Sequence, residues 1–164
     1  MNKPTFGTYR GWSDNWVYGA MLHGWGKAFI LEFHDDVVND RCVHPKYDQS
    51  VLDNIVEVDP KSFAMFTGLY DKEDTPVYGS VPLPDGVISR GGDIVGGNFV
   101  RYSSECGRFA SQLKRTRKYK SFLNDMFVNL DELISNDLFG CGYTVIGNAY
   151  QHPELLPELE VKEK

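Results

Sequence analysis

The chain has 164 residues, a formal net charge of −6, 13% aromatic residues and 16 glycines. That length is one ordinary domain or two very small ones, and a hydrophobic share of 41% argues against intrinsic disorder. The acidic balance, 17 Lys and Arg against 23 Asp and Glu, argues against coating of nucleic acid by bulk charge, while glycine paired with aromatics leans toward β structure.

In chain order, the first 33 residues read as an antiparallel meander over 8–12, 15–22 and 27–33, broken at Ser13-Asp14 and at His23-Gly24-Trp25-Gly26. In its second segment Trp16, Tyr18 and Ala20 fall on one face and Val17, Gly19 and Met21 on the other, the pattern of a sheet covered on one side. Residues 34–50 carry Asp35, Asp36, Asp40, Pro45 and Asp48 and read as a polar excursion. A strand follows at 51–58, and Asp59-Pro60-Lys61-Ser62 predicts a capped helical turn ahead of Phe63. Beyond the turn cluster at 71–76 come Val77-Tyr78 and a surface hairpin made by Val81-Leu83 and Val87-Ile88. Gly96-Gly97 joins the strand after Asp93 to the strand 98–102, and another strand is predicted over 108–113. Phe122, Met126, Leu130 and Leu133 predict one amphipathic helix over 122–134 with Ser121 as its N-cap. A final strand at 143–146 precedes Gly147-Asn148.

The expected fold is mainly β, α+β at most. It comprises an N-terminal sheet region (1–70) and a region with a small SH3-like barrel-type unit, the helix and the last strand (71–164), with a soft boundary that leaves room for one compact unit. No apolar run reaches the length of a membrane span and the start leads into no hydrophobic signal segment, so a cytoplasmic location is expected. Cys42, Cys106 and Cys141 are odd in number and widely spaced, which fits reduced, packed thiols better than a disulfide framework or zinc ribbon.

The blocks Tyr9-Arg10-Gly11, Asn15-Trp16-Val17-Tyr18-Gly19, Glu57-Val58-Asp59-Pro60, Phe66-Thr67-Gly68-Leu69-Tyr70-Asp71-Lys72, Gly92-Asp93-Ile94-Val95 and Val145-Ile146-Gly147-Asn148-Ala149-Tyr150, ahead of Pro153-Glu154-Leu155-Leu156, follow one another in this order. With them the chain resembles the YopX family, proteins encoded by phages and prophages, over nearly its whole length. The resemblance implies a mainly β architecture and a bacterial host cytoplasm, and it supplies no reaction and no catalytic residues. The residues it marks, in structural roles, are Trp16, Tyr18, Gly19, Thr67, Gly68, Leu69, Gly92, Asp93, Ile146, Gly147, Asn148 and Pro153. Three departures stand out: the insert 80–91 between Gly79 and Gly92, Glu73-Asp74 where the family has asparagine-glycine, and His152 where an asparagine caps the last turn. Independently of the family, Gly68 and Gly92 suggest positions that need backbone freedom, and Asp93 suits a carboxylate that bonds the amides of its own turn.

Candidate chemistry is sparse. Lys114-Arg115-Thr116-Arg117-Lys118-Tyr119-Lys120 puts five cations into seven residues, and without them the chain holds 12 cations against 23 anions. Lys114, Arg115, Arg117, Lys118 and Lys120 could contact phosphates while Tyr119 stacks on a base; the plainer reading is a solvated edge that pairs with acidic neighbours. His34, Asp35, Asp36, Cys42 and His44 contain metal donors without a paired motif, and Cys106 lacks an identifiable His partner, so neither a metal, a cofactor nor a nucleophile is expected. Gly91-Gly92 and Gly96-Gly97 bracket a short strand instead of opening a phosphate-binding helix. Trp12, Trp16 and Trp25 with Tyr18 suit either an aromatic ligand groove or, preferably, the core of a thin sheet. The sequence therefore points to a non-catalytic accessory protein that acts through protein contacts, as a homo-oligomer or with a host or phage protein. The alternative is a nucleic-acid-binding module using 114–120.

Overall fold

The computed structural model describes residues 4, 7–24, 26–32, 55–104, 107–112, 127–129 and 143–156. Three strands, β1 (Tyr9–Trp12), β2 (Trp16–Gly24) and β3 (Lys27–Glu32), form the expected meander. The fourth, β4 (Ile55–Tyr70), runs for 16 residues. It pairs with β3 through Ala28↔Val58 and Ile30↔Val56, and with β1 through Arg10↔Ala64 and Tyr9↔Met65, so the first four strands close on themselves. Inside that ring lie Val17, Ala28, Ile30, Val58 and Phe63. Phe63 alone, fully buried, contributes about 1.5–3 kcal/mol.

The helical turn expected at Asp59-Pro60 is part of β4 instead. Between its pairings with Trp12 and Arg10 the strand bulges: the three residues Arg10 to Trp12 of β1 face the six from Asp59 to Ala64. The polar side chains that suggested a cap hold this bulge, with Asp59 accepting the Lys61 N–H at 2.9 Å and the Ser62 hydroxyl donating to the Asp59 carbonyl at 2.6 Å. Ser62 also accepts the Trp12 N–H at 2.6 Å, which ties the bulge to β1. Cap chemistry and bulge chemistry use the same bonds, and the neighbouring strand decides between them.

From β4 the sheet continues to β5 (Pro76–Ser80), antiparallel, and then to β7 (Asn98–Ser103), which meets β5 in parallel at Ser80↔Arg101. On either side of β7 lie β6 (Asp93–Val95), joined to it by the Gly96-Gly97 turn that the sequence predicts, and β8 (Arg108–Gln112), ahead of which the Gly107 N–H donates to the Ser103 carbonyl at 2.8 Å. Gly96 and Gly97 have φ of 58° and 78°, the left-handed pair that a tight two-residue hairpin demands. The last strand, β10 (Val145–Asn148), pairs with β6. Val77, Val95 and Val100 pack with Leu69, Phe109 and Val145 beneath this half, while Ile94, Phe99, Ala149 and Leu156 pack together near the end of the chain.

The helix predicted over 122–134 is corrected where the structure describes it. Residues Phe127–Asn129 form strand β9, with Phe127 opposite Gln112 and Asn129 opposite Ala110. A short apolar run satisfies either periodicity, and the open edge of β8 supplies the backbone partners that select the strand. The remainder of that range lies outside the described residues. Among the described residues the one helical piece is a 3-10 turn at Pro153–Leu155, and no helix is long and apolar enough to cross a membrane.

The hairpin at 81–89 forms with the expected pairing, Pro82↔Ile88 and Leu83 N–H to Val87 O at 2.8 Å. It is not a surface ornament. Val81 and Leu83 are buried in the same core as Phe63 and Ile30, and Ser89 bridges the Val81 N–H to the Phe63 carbonyl. This core and the β4–β5 ladder join residues of 1–70 to residues of 71–164.

Candidate functional site

The residues that carry the chemistry of this chain converge on Arg10. Its position in β1 places it opposite Tyr18 of β2 and Ala64 of β4, on the face turned away from the closed core. The guanidinium lies 4.5 Å from the ring centre of Trp16 and 4.4 Å from that of Tyr78, a cation held between two aromatic faces. Such contacts are worth about 2 kcal/mol or more each when water is excluded. Its Nη2 donates to the Gly91 carbonyl at 2.7 Å and to Asp93 at 2.5 Å, while Nε is buried without a hydrogen bond.

Asp93 completes the centre. One carboxylate oxygen takes the Arg10 guanidinium and the other accepts the Tyr78 N–H at 2.7 Å. Burial pushes the carboxyl above its ordinary range, against the pull of the guanidinium and of the Tyr78 amide. Asp93 therefore does not bond the amides of its own turn, as its sequence context suggests; it reaches across to β1 and β5. The preceding Gly91 and Gly92 are required by closeness and not by backbone freedom. A Cβ at Gly91 would stand 1.8 Å from the Ser62 carbonyl oxygen, and one at Gly92 would stand 2.3 Å from that of Val100. Gly68, by contrast, has a φ of 89° and does need glycine's freedom.

Around this ion pair the aromatic rings form two groups, bridged by the Arg10 guanidinium between Trp16 and Tyr78. Trp12 meets Trp16 edge-on at 5.3 Å, Trp16 meets Tyr150 at 6.2 Å, Tyr18 meets Tyr78 at 5.9 Å, and Phe66 lies between Tyr70 and Tyr78. Neither Trp12 nor Trp16 joins the core inside the ring, contrary to the preferred expectation for the tryptophans. Alternation along β2 decides this: Val17 takes the inner side, so Trp16 and Tyr18 face outward. Burial pushes the phenols of Tyr18 and Tyr78 up, in both cases against the nearby Arg10 guanidinium.

The loop after β10 is latched onto the same face. Trp16 Nε1 donates to Gln151 at 3.1 Å, Asn148 donates to the same oxygen at 3.0 Å and accepts the Gln151 N–H, and Tyr150 donates to Asp59 at 2.9 Å. A second carboxylate, Asp71, accepts the amides of Glu73, Thr75 and Val145 at 2.9 Å each, joining the turn before β5 to β10. Burial works against its ionisation, but the three amides outweigh it and hold its pKa below the usual carboxylate value. Asp74 takes the left-handed φ of 62° that this turn requires. His152 gives its turn no side-chain cap; its ring nitrogen accepts only a long 3.4 Å contact from the Asn148 N–H.

Of the marked residues, Trp16, Tyr18, Asp93 and Asn148 meet in this cluster, Gly92 supports it from beneath, and Thr67 serves locally by donating to the Val77 carbonyl. Ile146 is 52% exposed on β10, away from Arg10. Arg10, Tyr78, Tyr150, Gln151 and Asp71 were not singled out from the sequence. Arg10 comes opposite Tyr18 because the turn takes three residues, 13–15, where the break at Ser13-Asp14 suggests two, and this shifts the register by one. The basic run 114–120, the metal donors between His34 and His44, Cys106 and Trp25 lie outside the described residues. Among the described residues no group of three His, Cys, Asp or Glu is placed to hold a metal ion. No family model, curated protein or solved structure matches the chain.

Proposed function

We propose that this chain is a YopX-like accessory protein of a phage or prophage, non-catalytic, working in the host cytoplasm through protein contacts that include self-association. In this reading β6–β8 make up a small SH3-like barrel-type unit, and an unidentified host or phage protein is a further partner. One observation carries it: the outer face of β2 is apolar along its length, yet Tyr18 is 44% and Leu22 40% exposed. Large apolar side chains left open on one sheet face, two residues either side of Ala20, support a surface that another protein covers. The polar groups beside it support a contact role, because Arg10 and Asp93 neutralise each other and Trp16 and Tyr150 are committed to Gln151 and Asp59. These contacts tie the face to β4, β6 and the loop after β10.

Light scattering on the purified chain at micromolar concentration tests the reading. Self-association predicts a mass of at least twice 18.6 kDa. A mass of 18.6 kDa at every concentration overturns it.

A further inference from the structure

On the outer face of β2, Tyr18, Ala20 and Leu22 alternate with the inward Val17, Gly19 and Met21. Their neighbours in the sheet are Leu31 opposite Ala20 and Phe29 opposite Leu22. The face is therefore bulky, small and bulky along the strand, with the two exposed side chains two residues either side of Ala20. Among the described residues the charges at its borders are paired: Lys27 with Glu57 at 2.7 Å on one side, and Arg10 with Asp93 on the other.

We propose that a second copy of this chain covers the outer face of β2 and β3, about a two-fold axis passing near Ala20. Such an axis sets Leu22 of each copy against Tyr18 of the other, and it lets the two Ala20 positions approach where a large side chain would hold the sheets apart. Antiparallel stacking of this kind brings two sheets to roughly 10 Å, and an isologous contact demands a self-complementary patch. Borders whose charges are already paired suit a second copy, because identical faces then meet without those charges opposing one another. The patch holds far fewer residues than the roughly 20–30 per partner of a standard interface, so the expected dissociation constant is on the order of micromolar. This proposal rests on the reading of the chain as a self-associating protein and names the surface involved.

The test uses the full chain and the variants Leu22→Lys, Ala20→Lys and Val87→Lys, the last placing the same charge on the 81–89 hairpin at a side chain that is 56% exposed. Light scattering from about 1 to about 200 µM, spanning the micromolar range expected for so small an interface, follows association, and circular dichroism confirms the β fold of each variant. The proposal expects Leu22→Lys and Ala20→Lys each to weaken association at least about tenfold, equivalent to about 1.4 kcal/mol, with Val87→Lys like the wild type. Tyr18→Ser serves as a third face variant where a lysine impairs folding. Association of the wild type that survives all three face variants overturns this surface and leaves self-association standing. A wild type that stays monomeric overturns both, and leaves the face to a different protein.

Discussion

Replacing Asp93 by Asn tests whether the ion pair at the centre of the aromatic face holds the two halves of the sheet together. The change is nearly isosteric and keeps one acceptor, which can serve either the Arg10 guanidinium or the Tyr78 N–H but not both. The new amide nitrogen is itself a donor and faces a donor whichever way it turns. Arg10 is left as an uncompensated charge whose side chain is only 9% exposed. Breaking a buried pair in this way costs about 3–5 kcal/mol, against a total stability on the order of 5–15 kcal/mol. For a chain of this size that corresponds to a fall in Tm of roughly 6–20 °C. Urea and thermal unfolding of the wild type, Asp93→Asn, and the closed cycle of Asp93→Leu, Arg10→Met and Arg10→Met/Asp93→Leu measure it. The double variant should be more stable than the sum of the single losses predicts, because an apolar pair leaves no buried charge. A cost below about 1 kcal/mol for Asp93→Asn, or strictly additive losses in the cycle, would refute the reasoning.

Three further outcomes follow from the same geometry. Asp71 has its pKa lowered in the folded state, so its contribution is complete above the ordinary carboxylate range and fades as the pH falls through the folded value. The stability gap between the wild type and Asp71→Asn should be about 1.5–3 kcal/mol near neutrality and shrink below about pH 4; a gap constant from pH 3 to 7 contradicts this. Gly91→Ala should destabilise severely, by more than about 3 kcal/mol, since its Cβ would overlap the Ser62 carbonyl, whereas Gly24→Ala, with nothing within 4 Å, should cost less than about 1 kcal/mol in the same urea titration. For the nucleic-acid alternative, binding measured by fluorescence anisotropy should weaken with salt and on changing Lys114, Arg115, Arg117 and Lys118 to Ser; binding indifferent to those changes removes that reading.

The strands of the meander, the Gly96-Gly97 hairpin and the final strand were legible because each couples a period-two pattern to a turn whose residues admit one geometry. Asp59-Pro60 misled because the bonds that cap a helix also stabilise a bulge, and the choice belongs to β1, more than forty residues away in the chain. Phe127–Asn129 misled for a related reason: three apolar or amide side chains fit a helical stripe, and an open edge of β8 recruits them. The core role of Val81 and Leu83 was hidden by the prolines beside them, which mark an edge without saying which side faces inward. At the candidate site, Trp16, Tyr18 and Asp93 were singled out one by one. Their meeting was not legible, since Arg10 and Asp93 are 83 positions apart and only the closure of the first four strands brings β1 beside Gly91–Asp93.

The central claim, that a second copy of the chain covers the outer face of β2, is tested most directly by tyrosine labelling as a function of protein concentration. Tyr18 and Tyr143 are 44% and 42% exposed, and Tyr143 packs near Gly96 beyond the opposite half of the sheet, so each molecule carries its own reference. Nitration or iodination read by peptide mass spectrometry should show labelling of Tyr18 falling relative to Tyr143 as the concentration rises through the micromolar range. A Tyr18-to-Tyr143 ratio that does not change with concentration would contradict the account.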